Sequence, residues 1–152
     1  MGMDRMGPQK MEKLTPGWQT FDHVADIGIR GMGQSIEEAF ENGACALFSL
    51  VVDDLSKISP VRKKKIACAS FDLTGLFVAW INNLIAISDM EQMVFGRFSV
   101  AVKETSLSGI AIGEKWSFEK HGRGIEVKGA TFTEATVRKE NGLWIAQCVV
   151  DV

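Results

Sequence analysis

Apolar residues along this chain switch their spacing from two to three or four and back, and those switches mark its elements. In the stretch 18–32, Ile27 and Ile29 alternate with Asp26, Gly28 and Arg30, the pattern of a strand with one covered face. From Ile36 the period lengthens. Ile36, Ala39, Phe40, Gly43, Ala44, Leu47, Phe48 and Val51 recur at three- and four-residue steps, which predicts one continuous apolar helix face. Ser35 and Glu38 ahead of it form a capping box, in which hydroxyl and carboxylate satisfy the backbone donors a helix start leaves unpaired. Cys45 falls off the apolar face and is expected to be the least buried of the three thiols.

After Pro60, residues 61–69 read as a strand with a basic centre, Arg62-Lys63-Lys64-Lys65. Lysines on a strand edge discourage sheet-to-sheet pairing, and that is their expected role; a phosphate-binding patch is the alternative. Asp72 then caps a second helix, with Leu73, Leu76, Phe77, Trp80, Leu84 and Ile87 on one side and Ile81 at its margin. From Val94 the two-residue period returns, with Phe98, Val100 and Val102 alternating with polar or small residues. Another strand is expected near 107–112, a loop over 113–124, and two final strands, 125–139 and 143–150, around Asn141-Gly142. That dipeptide supplies the two positive φ angles of a type I′ hairpin turn. The order predicts an α+β fold: two amphipathic helices covering one face of a mainly antiparallel sheet.

Composition sets limits on this picture. A chain of 152 residues, 46% hydrophobic, makes one domain that needs no disulfide to hold its core. The first seventeen residues mix charge, Gly and Pro without the apolar stretch of a secretory signal. They read as a flexible leader, 1–17, ahead of a domain over 18–152. No run of about 18 apolar residues is present, so neither a membrane span nor a membrane partner is expected. Cys45, Cys68 and Cys148 are odd in number and far apart, which excludes a CxxC metal knuckle and suits reduced thiols in the cytoplasm. With a net charge of −2 the chain has no overall basic field, so any RNA is expected to be held by another protein.

The candidate chemistry is acidic. Asp22 and Asp26 lie four residues apart, and on one strand both would point to the face opposite Ile27 and Ile29. At the other end, Asp151 is followed at once by the main-chain carboxylate of Val152. Calcium and similar hard cations take mixtures of carboxylate, carbonyl and water oxygens. Asp26, Asp151 and Val152 would make such a site if the first and last strands meet. His23 between the two acids reads as a hydrogen-bonded structural histidine. In a regular hairpin around Asn141-Gly142, Asp151 faces Phe132, which leaves Lys128 about 13 Å along the strand. A surface contact to a partner suits Lys128 better than a role at the metal.

At these residues the chain resembles the archease family. The resemblance rests on Phe21-Asp-His-Val-Ala-Asp-Ile-Gly-Ile-Arg30, Ser35-Ile-Glu-Glu-Ala-Phe-Glu-Asn42, Gly124-Ile-Glu-Val-Lys-Gly-Ala130 and Cys148-Val-Val-Asp-Val152, and covers all but the leader. Two departures are Val24, where the family usually has Thr, and Gly129, where it usually has Ala. The resemblance implies an accessory protein, not itself an enzyme, that activates the RtcB-type RNA ligase of tRNA splicing. It implies promotion of ligase guanylylation and multiple turnover, calcium-type ligands at Asp26, Asp151 and Val152, and a lysine needed for activation at Lys128. Two alternatives remain open at this point. A stand-alone metal-dependent phosphoester hydrolase would use the same acids to activate water; a general chaperone would bind proteins without them.

Overall fold

A computed structural model of the chain describes residues 14–152. Most of the expected leader, 1–13, lies outside the described residues. The rest of it is already folded, because Leu14 packs against Met32, Leu143 and Ile145 and Gly17 opens the first strand. The elements run β1 (Gly17–His23), β2 (Asp26–Gly33), α1 (Ile36–Val51), a 3₁₀ turn (Leu55–Lys57), β3 (Arg62–Ala69), α2 (Leu73–Glu91), β4 (Met93–Lys103) and β5 (Ser106–Lys115). A short α3 (Phe118–His121) follows, then β6 (Gly129–Ala130), β7 (Thr136–Glu140) and β8 (Leu143–Asp151).

The fold is α+β as expected, but the strands form two sheets rather than one. One sheet has the order β1-β2-β8-β6, with β7 also on β8; the other has the order β3-β5-β4, and every pairing is antiparallel. Both helices contact both sheets, and a single core draws Ile29 and Cys148 from the first sheet, Ile66 and Leu107 from the second, and Phe40 and Trp80 from the helices. Periodicity reports that a strand has a covered face; it does not report which sheet the strand joins.

The helices start where the sequence places them. Ser35 Oγ accepts from Glu38 N–H at 3.0 Å, and Glu38 reaches back to Gln34 N–H at 2.6 Å. Asp72 accepts from Gly75 N–H at 2.8 Å. Ile81 is fully buried rather than marginal, since α2 has neighbours on more than one side. Over α2 the mean hydropathy reaches 1.3, enough by length and composition for a membrane span; here Leu76, Phe77, Trp80 and Leu84 fill the core instead. Trp80 also donates its indole N–H to the Phe40 carbonyl at 3.0 Å, which ties the two helices together. Glu41 and Glu37 of α1 accept from the Val100 and Val102 N–H groups, so the outer edge of β4 is closed by side chains of the helix. Burial pushes the Glu41 carboxyl above its ordinary value, against the opposing pull of the Val100 N–H.

Cys45 is not the least buried thiol. It is half-buried like Cys68, and burial raises it to about 11, while fully buried Cys148 is pushed to about 12. Packing on two sheets covers positions on α1 that a one-faced helix would leave to solvent.

Candidate functional site

The stretch 18–32 is not one strand. Val24 and Ala25 form a two-residue turn, so β1 folds back on β2 with His23 paired to Asp26 and Asp22 paired to Ile27. Val24, fully exposed at the tip, takes a φ of 49°, an uncommon conformation for a β-branched residue. The turn corrects the expectation for the two acids. Cross-strand partners share a face, so Asp22 lies on the Ile27 side and Asp26, with His23, on the other. No Gly, Pro, Asn or Asp marks the turn at its two central positions, which is why alternation alone ran straight through it.

The meeting of the first and last strands is observed. β2 pairs with β8 from Gly33 opposite Trp144 to Ile27 opposite Val150, and the next step of that register sets Asp26 beside Asp151. Ile29 and Cys148 of this pair face the helices, so the two carboxylates stand on the opposite, outer face. The following residue, Val152, is half-buried with its side chain against the core, which holds the main chain at this end of the sheet.

Lys128 is the second correction. β7 keeps the regular register set by Asn141 (φ 53°) and Gly142 (φ 81°), with Thr136 opposite Gln147. Beyond it the expected strand 125–139 breaks. Thr131 N–H donates to Val149 C=O, Val149 N–H donates to Thr133 C=O, and Ala135 N–H closes a turn onto Phe132 C=O. This loop takes up residues, so Asp151 faces Gly129 instead of Phe132. The Lys128 backbone N–H then donates to the Asp151 carbonyl at 2.8 Å, where a regular hairpin would hold the two far apart. Asn82 of α2 fixes the strand from its other side, accepting from Ala130 N–H at 2.8 Å and donating to its carbonyl at 3.2 Å.

The end of the first sheet therefore gathers Asp26, Asp151, Val152 and the Lys128 backbone, with His23 in the adjoining register position. Oxygen donors of this kind fit a hard divalent cation. Among the described residues, however, no three His, Cys, Asp or Glu side chains cluster closely enough to hold a metal by themselves. The two aspartates would need main-chain oxygens of Val152, waters or groups of a partner to complete a shell.

A second polar cluster was invisible in the sequence. Buried His121 accepts Ser117 N–H on Nδ1 at 2.9 Å, which leaves Nε2 to donate to Glu114 at 2.8 Å. Lys120 and Ser59 N–H also reach Glu114, at 2.7 and 2.9 Å, and with His121 they hold its carboxyl down at about 2. The cluster anchors the loop that leads to Lys128: Trp116 binds Gly122 C=O, and Ile125 N–H bonds Leu50 C=O at 2.7 Å. A carboxyl whose folded value lies below its unfolded value of roughly 4.3 stabilises the fold above that pH and loses the contribution as pH falls towards 2. Glu114→Gln is thus expected to melt lower than the parent at pH 7, with the gap closing steadily below about pH 4.3, as thermal denaturation across pH would show.

An α+β domain with an acidic sheet end built from both ends of the chain is the class that fold and site define. Residues 18–152 match the model of the Archease protein family (MTH1598/TM1083). The chain is similar to protein archease of Sulfurisphaera tokodaii, 38% identical over 89% of this chain and 98% of that protein. It is also similar to protein archease of Pyrococcus furiosus, 39% identical over 89% and 98%. The solution structure of Methanobacterium thermoautotrophicum protein 1598 superposes with a TM-score of 0.79 at 33% identity, covering 90% of this chain and 99% of that one. A Thermotoga maritima crystal structure, described as an archease and "possible chaperone", shares the fold with a TM-score of 0.59 at 18% identity, covering 95% and 100%. The chain belongs to the archease family.

Proposed function

We propose that this archease-family protein is an activator of an RtcB-type RNA ligase in the cytoplasm, and that it works through the acidic end of its first sheet. It promotes ligase guanylylation and repeated turnover, and it does not join RNA itself. The observation that carries the reading is the antiparallel pairing of β2 with β8 as far as Ile27 opposite Val150, which continued one step brings Asp26 alongside Asp151. Two carboxylates on adjacent strands repel each other unless a cation or a partner's positive group lies between them. A calcium-type ion held by Asp26, Asp151 and main-chain oxygens of Val152 would relieve that repulsion and keep open positions for groups of the ligase. Lys128 enters as a partner contact, since the loop after it brings its backbone to Asp151. His23 and Asp22 lie in the hairpin next to the site.

The deciding measurement is multiple-turnover ligation by the ligase with and without this protein, with ligase guanylylation followed in parallel. Activation of both supports the reading. Phosphate-ester hydrolysis by this chain alone would replace it with the hydrolase alternative, and suppressed aggregation of unrelated proteins with no effect on ligation would replace it with the chaperone one. Asp151→Ala removes one of the two side-chain carboxylates from this end of the sheet. It is expected to cut activation at least tenfold with folding intact, as the same ligation assay and circular dichroism would record, because even outer-shell changes at metal sites cost roughly 10–100-fold.

A further inference from the structure

The three-stranded sheet has a face that the activation site does not use. Ile66 of β3, Leu107 and Ala111 of β5 and Val100 of β4 point into the core, so the alternate residues face outward. Four outward residues are cations. Lys63 and Lys65 lie on β3, Arg97 and Lys103 on β4, and all four are exposed. Register puts Lys63 and Arg97 on opposite sides of Ile112, about 10 Å apart across the sheet, while Lys103 is about 20 Å along β4 from Arg97.

Between these cations the face is low. Ala67, Ser108 and Ala101 make one cross-strand row, and Ser99 stands opposite half-buried Ile110 in the next. None of these strand positions is aromatic. The one outward acid on the three strands, Glu114, is taken by Lys120 and His121; Glu104 sits in the turn beyond Lys103. Among the described residues none of the four has an acidic partner, so a chain with a net charge of −2 concentrates positive charge on this one face.

We propose that this face binds the sugar–phosphate backbone of single-stranded RNA. The cations match a phosphate chain in sign. The small row leaves an extended polymer room to lie flat, and serine hydroxyls can serve phosphates and 2′-hydroxyls. Contacts made only to the sugar–phosphate backbone carry no sequence information, so binding is independent of sequence. This reverses the expectation that RNA touches the protein only through a partner, which was drawn from net charge. Edge-guarding explains lysines on β3, but it does not explain Arg97 and Lys103 on the far side of the same face, where helix acids already close the edge of β4. The choice of RNA over DNA rests on the ligase reading; the binding does not, and its test contains no ligase.

Fluorescence anisotropy of a fluorescein-labelled oligouridylate with the full chain is the test. Four phosphate contacts on a single strand make affinity fall about fiftyfold between 50 and 200 mM salt. The Lys63→Glu, Lys65→Glu double variant is expected to lose at least tenfold in affinity, as is Arg97→Glu, Lys103→Glu on the other strand, each with an unchanged circular dichroism spectrum. Asp26→Ala should bind RNA like the parent while losing ligase activation, which separates the two sites. Lack of binding at 50 mM salt, or full affinity in both double variants, would overturn the proposal. So would capture by phosphatidylserine vesicles with no binding to the oligonucleotide.

Discussion

Asp26→Ala is expected to abolish ligase activation while leaving the domain folded, and its response to calcium should reveal why. Continued one step beyond Ile27 opposite Val150, the β2–β8 register makes Asp26 and Asp151 cross-strand neighbours on one face, a position where like charges oppose folding. Removing one carboxylate takes away that repulsion. In a chelator, therefore, the variant should melt at or slightly above the parent temperature. In calcium the order is expected to invert, because a ligand that binds only the folded state stabilises it by an amount that rises with the logarithm of its concentration over Kd. The parent is expected to gain stability on titration with calcium, and the variant, without one of the proposed ligands, to lose more affinity than the 10–100-fold typical of an outer-shell change. Differential scanning fluorimetry with calcium and with chelator, run beside the ligation assay, reads both effects. Full activation by Asp26→Ala and by Asp151→Ala would remove the acidic end from the mechanism.

Gly31→Ala is expected to have the largest effect on stability. A Cβ at Gly31 would stand 2.1 Å from the Ala39 carbonyl oxygen and 2.2 Å from the Gly43 nitrogen. Both are backbone atoms of α1, so no side chain can swing aside. Gly43 has its own reason to be small, since a Cβ there would meet the Phe77 ring at 2.6 Å. The methyl would lift α1 off β2 and loosen Phe40 against Phe77, whose rings meet edge-on with centroids 5.1 Å apart. Overpacking of this kind costs about 3 kcal/mol, on the order of 10 °C in melting temperature for a domain of this size. Urea denaturation would measure it, and an unchanged midpoint would mean that helix and strand do not approach so closely.

Two errors at the acidic site have the same physical origin. Alternation predicted correctly that Asp26 faces away from Ile27, because that depends only on neighbouring residues of one strand. It failed for Asp22, because the chain turns at Val24-Ala25 without a residue type that announces a turn. The Asn141-Gly142 hairpin was readable, since its φ angles demand those residues. The position of Lys128 was not, because residues 131–135 loop out to satisfy Val149 and no local pattern encodes how many do so. The cationic face was half legible: the run at 62–65 stood out, but Arg97 and Lys103 joined it only through the pairing of β4 with β5.

What the sequence determined by itself was local: the two helices and their caps, the two-residue period of the strand segments, the Asn-Gly turn and the presence of carboxylates at Asp26 and Asp151. These depend on interactions within a few residues, where side-chain spacing and backbone preference act directly. The tertiary structure decided the division into two sheets, the neighbouring of Asp26 with Asp151, and the arrival of Lys128 beside them. Those are pairings between segments more than a hundred residues apart in the case of the aspartates. Their register is chosen by the burial of a shared core, which the order of residues along any one segment does not reveal.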